Sequence, residues 1–187
     1  NAIAKRITDR MATLGYAFAT ANPMPEPDKE NRTVAFTIVV DPGRRVYVRR
    51  VNIGGNTRTK DEVVRREIRQ YESAWFDSEK VRLSRDRIDR LGFFESVNIE
   101  TPAVPSAPDQ VDVNVTVKER ATGNIQLGAG YSSTEGLVLT AGLAQQNLFG
   151  SGNALSLEIN TSKANRTIAI AHTDPYVTSE GISRSVE

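Results

Sequence analysis

The chain has 187 residues, enough for one large domain or two small ones, and it contains no cysteine, so disulfides and thiolate metal sites are excluded. Its 24 Lys and Arg residues nearly balance its 23 Asp and Glu residues, but residues 121–187 carry only eight of these charges. No run of 18 apolar residues occurs, which excludes a transmembrane helix.

A short module occurs twice in the first 120 residues. Leu14-Gly15-Tyr16 recurs as Leu91-Gly92-Phe93, and Val34–Val40 recurs as Val111–Val117, both at an offset of 77 residues. Self-similarity at a fixed spacing indicates an array of modules, each of them one supersecondary unit. From this alignment we expect the chain to begin part-way through the first copy.

The first copy is predicted as a helix, a short strand, a loop and a second strand. Apolar side chains at helical spacing from Ile3 to Leu14 predict a helix that ends at Gly15. Three prolines between Pro23 and Glu30 predict a loop, and the alternation over Val34–Val40 predicts a strand.

The second copy is predicted as a complete β-α-α-β-β module. The run from Val46 to Ile53 predicts a strand whose register is uncertain, because two arginines interrupt it. Thr59 followed by Glu62 has the spacing of a capping box, and the apolar positions after it predict a helix that continues to Tyr71.

The second helix of this module is predicted to begin at Asp77 or Ser78 and to end at Gly92. Strands are predicted from Val97 and over Val111–Val117, with a proline-containing break between them. The module has about 75 residues, which is small but sufficient for a domain that folds alone.

Residues 121–187 are predicted to form antiparallel strands. Apolar side chains alternate with small or polar ones over residues 125–131, 137–143, 155–159 and 168–170. These strands have about the length that crosses a bilayer when tilted, as in a membrane β-barrel. The alternative is a soluble antiparallel sheet with one face exposed to solvent. The predicted fold class is therefore α+β modules followed by antiparallel strands, and a transmembrane β-barrel is one of the two interpretations of those strands.

The sequence offers no constellation for catalysis. Gly128-Ala129-Gly130 lacks the third glycine and the following helix of a nucleotide-binding loop. His172 is the only histidine, and no second one could complete a nucleophile–base pair with Ser156. We therefore predict no enzyme activity, no catalytic residues, no cofactor and no metal site.

Basic side chains are concentrated between Arg44 and Arg69, where nine of them face three acidic ones. No aromatic stacking platform is interleaved, so nucleic acid is not a predicted partner. A solvated face is the simplest interpretation, and a docking surface for an acidic partner or lipid headgroups is the alternative.

Several motifs resemble one known family. The β-α-α-β-β module with Leu-Gly-Phe or Leu-Gly-Tyr after its second helix resembles a POTRA domain. Residues 117–123 and 128–131 resemble the junction of the last POTRA domain with the first barrel strand in the BamA family of outer-membrane protein assembly factors. Residues 146–152 and Asp174-Pro175-Tyr176 resemble the first periplasmic turns of that family.

This resemblance implies a division into three parts. Residues 1–43 would be the C-terminal part of a fourth POTRA domain, residues 44–120 a complete fifth one, and residues 121–187 the first strands of an outer-membrane β-barrel. The expected location is the outer membrane, with the POTRA domains in the periplasm.

The resemblance also implies a function: the folding and insertion of nascent outer-membrane β-barrel proteins through strand pairing at a lateral seam. The implied partners are those substrates, lipoprotein subunits of the assembly complex, and outer-membrane lipid. By similarity, Arg65 and Glu72 fall where the fifth POTRA domain meets a lipoprotein, although ordinary surface charge would explain them as well. The first barrel strand, here called the seam strand, comprises Asn124, Ile125, Gln126, Leu127, Gly128, Ala129, Gly130 and Tyr131.

Two other functions stay open at this point. A related two-partner secretion or translocation pore would share POTRA domains and a barrel but would transport proteins rather than fold them. A soluble periplasmic binding module would require residues 121–187 to form a wet sheet.

Overall fold

The computed structural model of the protein describes residues 2–28, 33–178 and 181–187. The chain divides into two compact units. The first contains Asn1–Gly54, Ile68–Ile88 and Val97–Thr116, and the second contains Gly55–Glu67, Asp89–Ser96 and Val117–Glu187. Because both units interleave separate segments of chain, the domain boundaries after residues 43 and 120 stay a prediction.

The first copy of the module is a helix followed by a pair of strands. Helix α1 spans Ala2–Thr13, and Gly15 follows it with a φ of 102°, as expected for a glycine that ends a helix. Strands β1 (Thr20–Asp28) and β2 (Thr33–Asp41) pair in antiparallel fashion.

The predicted loop over residues 23–30 is wrong where the structure describes it, because β1 runs through Pro23, Pro25 and Pro27. Prolines at every second position place their nitrogen atoms on the same side of a strand. The residues between them can then supply the N–H groups of the ladder to β2. Residues 29 and 30 lie outside the described residues.

The second copy contains the predicted module. Its elements are β3 (Tyr47–Gly54), α2 (Asp61–Arg65), α3 (Ser78–Arg90), β4 (Phe94–Glu100), β5 (Ala103–Val104) and β6 (Ala107–Glu119). The sheet order is β3-β6-β4, with β3 and β6 parallel and the short β5 paired to β6. Among the described residues, every buried apolar side chain lies between Val46 and Val117.

A bulge explains the irregular spacing of valines in β3. The register to β6 shifts between Val48 and Arg50, and Val48 and Val51 are both buried although they are three residues apart. Arg49 is directed outward, and its Nε atom donates to Oδ1 of Asp112 at 2.8 Å. This hydrogen bond holds the pKa of the Asp112 carboxyl below its usual value.

Two predictions about the first helix of the module are wrong. No side-chain cap forms at its N-terminus, where Lys60 is the N-cap residue, and the helix stops at Arg65 instead of continuing to Tyr71. The buried amide of Gln70 stabilises a non-helical path after it. This amide donates to the carbonyl oxygen of Trp75 at 3.1 Å and accepts the N–H of Asp77 at 2.9 Å.

The start of the second helix is confirmed. Oδ1 of Asp77 accepts the backbone N–H groups of Glu79 at 2.9 Å and Lys80 at 3.3 Å, which is an N-cap for α3. Helix α3 ends at Arg90, two residues before Gly92.

The second unit carries five strands in one antiparallel sheet, ordered β11-β10-β9-β8-β7. They are β7 (Gly123–Ser132), β8 (Gly136–Gln145), β9 (Ala154–Thr161), β10 (Arg166–Asp174) and β11 (Arg184–Val186). The first four were predicted from the alternation, and the three-residue β11 was not. No helix in the described segments is both long and apolar enough to cross a membrane.

Candidate functional site

The seam strand lies within β7, at the end of the five-stranded sheet. Among the described strands, β7 pairs with β8 alone, in a register that runs from Gly123–Gln145 to Ser132–Gly136. All eight residues of the predicted seam strand are therefore on one terminal strand of the sheet.

The hydrogen bonds of β7 show which backbone groups point to the outer edge. The N–H of Gln146 donates to the carbonyl oxygen of Thr122, one step beyond the Gly123–Gln145 pair. Because successive residues of an antiparallel strand direct their backbone groups to opposite sides, even-numbered residues of β7 face β8. The N–H and C=O groups of Ile125, Leu127 and Ala129 consequently point to the outer edge.

One face of the sheet carries apolar side chains, and the other carries small or polar side chains. Leu127 pairs with Ala141, Ala141 with Ile159, and Ile159 with Ile168, so the four side chains form one row across the strands. The row one step along contains Gln126, Gly142, Glu158 and Ala169 and lies on the opposite face.

The apolar face is exposed. Leu127 is 81% exposed and Ile168 is 55% exposed. Exposed apolar surface on this scale marks a contact with another protein or with a membrane.

Arg65 is the last residue of α2 and belongs to the second unit. Its side chain is 47% exposed, and its Nε atom donates to Oδ2 of Asp61 at 2.7 Å, one helical turn earlier. An exposed pair of this kind contributes little to stability, about 0.3–0.5 kcal/mol. About half of the Arg65 side chain is therefore open to solvent, where a partner could reach it.

Glu72 belongs to the first unit and has a structural contact that sequence reasoning missed. Its Oε1 atom accepts the backbone N–H of Val51 at 2.8 Å. Two backbone hydrogen bonds lie beside it. The N–H of Ser73 donates to the carbonyl oxygen of Val48, and the N–H of Val48 donates to the carbonyl oxygen of Ala74. Glu72 and the residues after it thus cover the outer edge of β3, which would otherwise be open to pairing.

Sequence reasoning also missed the role of Glu119 at the end of β6. Its carboxylate accepts the N–H of Thr59 at 2.6 Å, the N–H of Arg58 at 3.0 Å and the hydroxyl of Thr57 at 2.9 Å. Burial acts to raise the pKa of this carboxyl, but the hydrogen bonds outweigh burial and hold the pKa below its usual value.

Thr59, which Glu119 orients, binds the turn between β8 and β9. Nδ2 of Asn147 donates to Oγ1 of Thr59 at 2.8 Å, and the N–H of Lys60 donates to the carbonyl oxygen of Gly150 at 3.0 Å. Gly150 has a φ of 73°, and a Cβ atom there would run into the carbonyl group of Arg58. Two motifs singled out in the sequence, residues 117–123 and 146–152, therefore both bind the short segment of residues 57–60.

Comparisons with known proteins establish the family. The POTRA family, described as surface antigen variable number repeat, matches residues 46–120. The outer membrane protein assembly factor BamA of Neisseria meningitidis serogroup B is 41% identical over 182 residues, which cover 97% of this chain and 23% of that protein. The crystal structure of BamA from Haemophilus ducreyi lacking POTRA domains 1-3 matches with a TM-score of 0.87 at 38% identity, covering 97% of this chain and 34% of the other. This chain belongs to the BamA family.

The fold class predicted from the resemblance is confirmed: POTRA modules are followed by antiparallel β-barrel strands in an open, partial sheet. The structure of Haemophilus influenzae BamA POTRA3-5 matches with a TM-score of 0.60 at 41% identity, covering 63% of this chain and 46% of the other. The chain spans about a quarter of the length of the Neisseria relative, 23%.

Proposed function

We propose that this chain belongs to the central subunit of an outer-membrane β-barrel assembly machinery. Its location is the outer membrane, with the POTRA modules in the periplasm. The relatives it matches are outer membrane protein assembly factors, and the match runs through both the POTRA and the strand regions. Its substrates are nascent β-barrel proteins, which it folds and inserts without a catalytic step.

The observation that carries this proposal is the outer edge of β7. A strand that enters lipid must satisfy its backbone N–H and C=O groups, each of which costs several kcal/mol when unpaired. The outward groups of Ile125, Leu127 and Ala129 offer such partners, and no described strand occupies them. A substrate strand can add to this edge by β-augmentation.

The apolar face supports a membrane setting for this edge. The strands contribute no buried apolar side chain to a core among the described residues, and their leucines and isoleucines are exposed on one face. Lipid would cover this face and would remove water, which competes for backbone hydrogen bonds.

The test places proline at two neighbouring positions whose backbone N–H groups point in opposite directions. Leu127→Pro removes an outward donor and spares the ladder to β8, whereas Gln126→Pro breaks that ladder. Ala164→Pro is the control, because the hydrogen bonds of its turn come from Ser162, Lys163 and Asn165. In the full-length protein in liposomes, Leu127→Pro should slow folding of an added barrel substrate by roughly five- to hundredfold.

The sheet in the Leu127→Pro protein should unfold at the same temperature as in the wild type, because the substitution leaves the pairing with β8 intact. Gln126→Pro should lower both sheet stability and assembly. If Leu127→Pro assembles substrates as fast as Ala164→Pro does, the seam role is wrong for this chain, and the secretion pore becomes the better explanation.

The second part of the proposal is that Arg65 and Glu72 bind a lipoprotein subunit. Glu72→Gln keeps an oxygen that can accept the N–H of Val51 but removes the charge, and Glu72→Lys removes both. If the charge matters to a partner, both variants should weaken co-purification of lipoproteins with the full-length protein. Glu72→Lys should weaken it more, because like charges facing each other across an interface cost several kcal/mol. Unchanged co-purification with a folded Glu72→Lys protein would remove Glu72 from the interface.

A further inference from the structure

A buried polar cluster joins the end of α2 to the turn after β10, within the second unit. The hydroxyl of Tyr176 donates to Oε1 of Glu67 at 2.6 Å, and Glu67 is only 3% exposed. The guanidinium carbon of Arg66 lies 4.0 Å from the centroid of the Tyr176 ring. The three side chains therefore form one contact between segments that are 109 residues apart in sequence.

The ring of Tyr176 gives this cluster a second interaction besides the hydroxyl hydrogen bond. Nε and Nη2 of Arg66 are buried and make no hydrogen bond within the described residues, and Nε lies 4.0 Å from Oε1 of Glu67. A buried cation needs compensation, which the ring face and the neighbouring carboxylate supply. Replacing the tyrosine by phenylalanine would thus remove the hydroxyl and keep the ring over Arg66.

The same segment holds a second turn of the sheet. Thr59 and Lys60 bind the turn after β8 through Asn147 and Gly150, as described above. Strands in this sheet alternate in direction, so the turns after β8 and β10 lie at the same end of it. Residues 59–67 consequently fix two turns at one end of the sheet that carries β7.

We propose that Glu67 and Tyr176 are positioning residues for barrel assembly: their hydrogen bond fixes the sheet to α2, whose exposed side carries Arg65. This inference rests on the proposed function. Arg65 faces solvent, while the next two residues face Tyr176. A subunit that binds at Arg65 would therefore bind next to Arg66 and Glu67, the two residues that attach the sheet through Tyr176.

The experiment uses the full-length protein, purified with its own lipoprotein subunits and reconstituted in liposomes. The variants are Tyr176→Phe, Glu67→Gln and the double variant. Amide hydrogen exchange of residues 174–178 and the rate of substrate barrel folding are measured for each. We expect Tyr176→Phe to raise exchange in this turn by roughly fivefold and to slow assembly by a similar factor. Adding Glu67→Gln to Tyr176→Phe should cost less than Glu67→Gln alone, because the shared hydrogen bond is already absent and only the other contacts of the carboxylate, such as that with Arg66, remain to be lost.

Two results would overturn the inference while leaving the seam role standing: unchanged exchange in Tyr176→Phe, or strictly additive effects of the two substitutions on assembly. If wild-type protein fails to fold barrel substrates, the proposed function and the positioning role both fall. In that case the exchange data still show whether the hydroxyl holds the turn. Tyr176→Leu is the comparison for the ring, and it should reduce stability further because Arg66 loses its aromatic neighbour.

Discussion

Three polar side chains accept backbone N–H groups in loops or at the edge of a strand. Glu119 accepts two N–H groups of the loop before α2, Glu72 accepts the N–H of Val51 at the edge of β3, and Gln70 accepts the N–H of Asp77. Each contact gives a backbone donor an acceptor, and a buried donor left without one costs about 1–3 kcal/mol. These residues therefore determine where the loops run.

The Glu119 carboxylate is expected to contribute to the stability of the POTRA module. We expect Glu119→Ala to lower the free energy of unfolding of the POTRA module by about 1–3 kcal/mol, because the N–H groups of Arg58 and Thr59 lose their acceptor. Urea unfolding of residues 44–120 at pH 7 would measure this loss. An unchanged midpoint would show that water replaces the carboxylate at no cost.

The same carboxylate makes the wild-type module sensitive to acid. Its pKa is lower in the folded state than in the unfolded chain, so its contribution is fully present above the unfolded value, about 4.3. That contribution is lost as the pH falls through the folded pKa. Glu119→Gln should show a shallower loss of stability between about pH 5 and pH 3 than the wild type. Equal slopes in the two proteins would contradict this assignment.

At the scale of elements, the strands of the second unit follow their alternation closely. One row of side chains is apolar across four strands, and the neighbouring row is small or polar. A slip of one residue in the register would exchange the two faces of every strand. The side-chain pattern and the observed pairing therefore support each other.

The alternation predicts which substitutions a bilayer tolerates. Leu157 lies on the apolar face and Glu158 on the opposite one. In the full-length protein in bilayers, Leu157→Arg should cost about 2–4 kcal/mol if this position is near the midplane, and Glu158→Gln should be tolerated. Spin labels at 157 and 158 would report the facing through a lipid-soluble quencher. Stronger quenching at 158 than at 157 would reverse the assignment.

At the scale of the whole molecule, the two copies of the module end in the same kind of contact. At the end of the first copy, the two residues Arg45 and Val46 at the start of the second copy bind the end of α1: Nε of Arg45 donates to the carbonyl oxygen of Leu14 at 2.9 Å, and the N–H of Val46 donates to the carbonyl oxygen of Gly15. In the second, Nε of Arg120 donates to the carbonyl oxygen of Gly92 at 2.6 Å. An arginine after the last strand thus binds the end of the preceding helix in both copies.

This repetition predicts that a module folds without the barrel strands. Residues 44–120 should form a soluble monomer that unfolds cooperatively on heating, because the buried apolar side chains lie within this range. The solved POTRA3-5 region of a relative supports this expectation. A broad, non-cooperative melt monitored by circular dichroism would contradict the predicted boundary after residue 120.

Local patterns in the sequence were sufficient for the elements that neighbouring residues specify. The repeat at an offset of 77 residues predicted the module, Asp77 predicted the start of α3, and the alternation predicted β7 to β10. The start of α3 and the strands β7 to β10 depend on residues a few positions apart, since helix caps and strand faces are properties of the local backbone.

Only the tertiary structure decided the rest. The prolines of β1 are compatible with a strand because β2 lies on one side only, within the described chain. Thr59 binds Asn147, 88 residues away, instead of capping α2, and Tyr176 reaches Glu67 across 109 residues. The direction of the N–H groups at the seam strand likewise follows from the pairing with β8. These contacts join segments far apart in the chain, and no local pattern of residues encodes which distant group a polar side chain will meet.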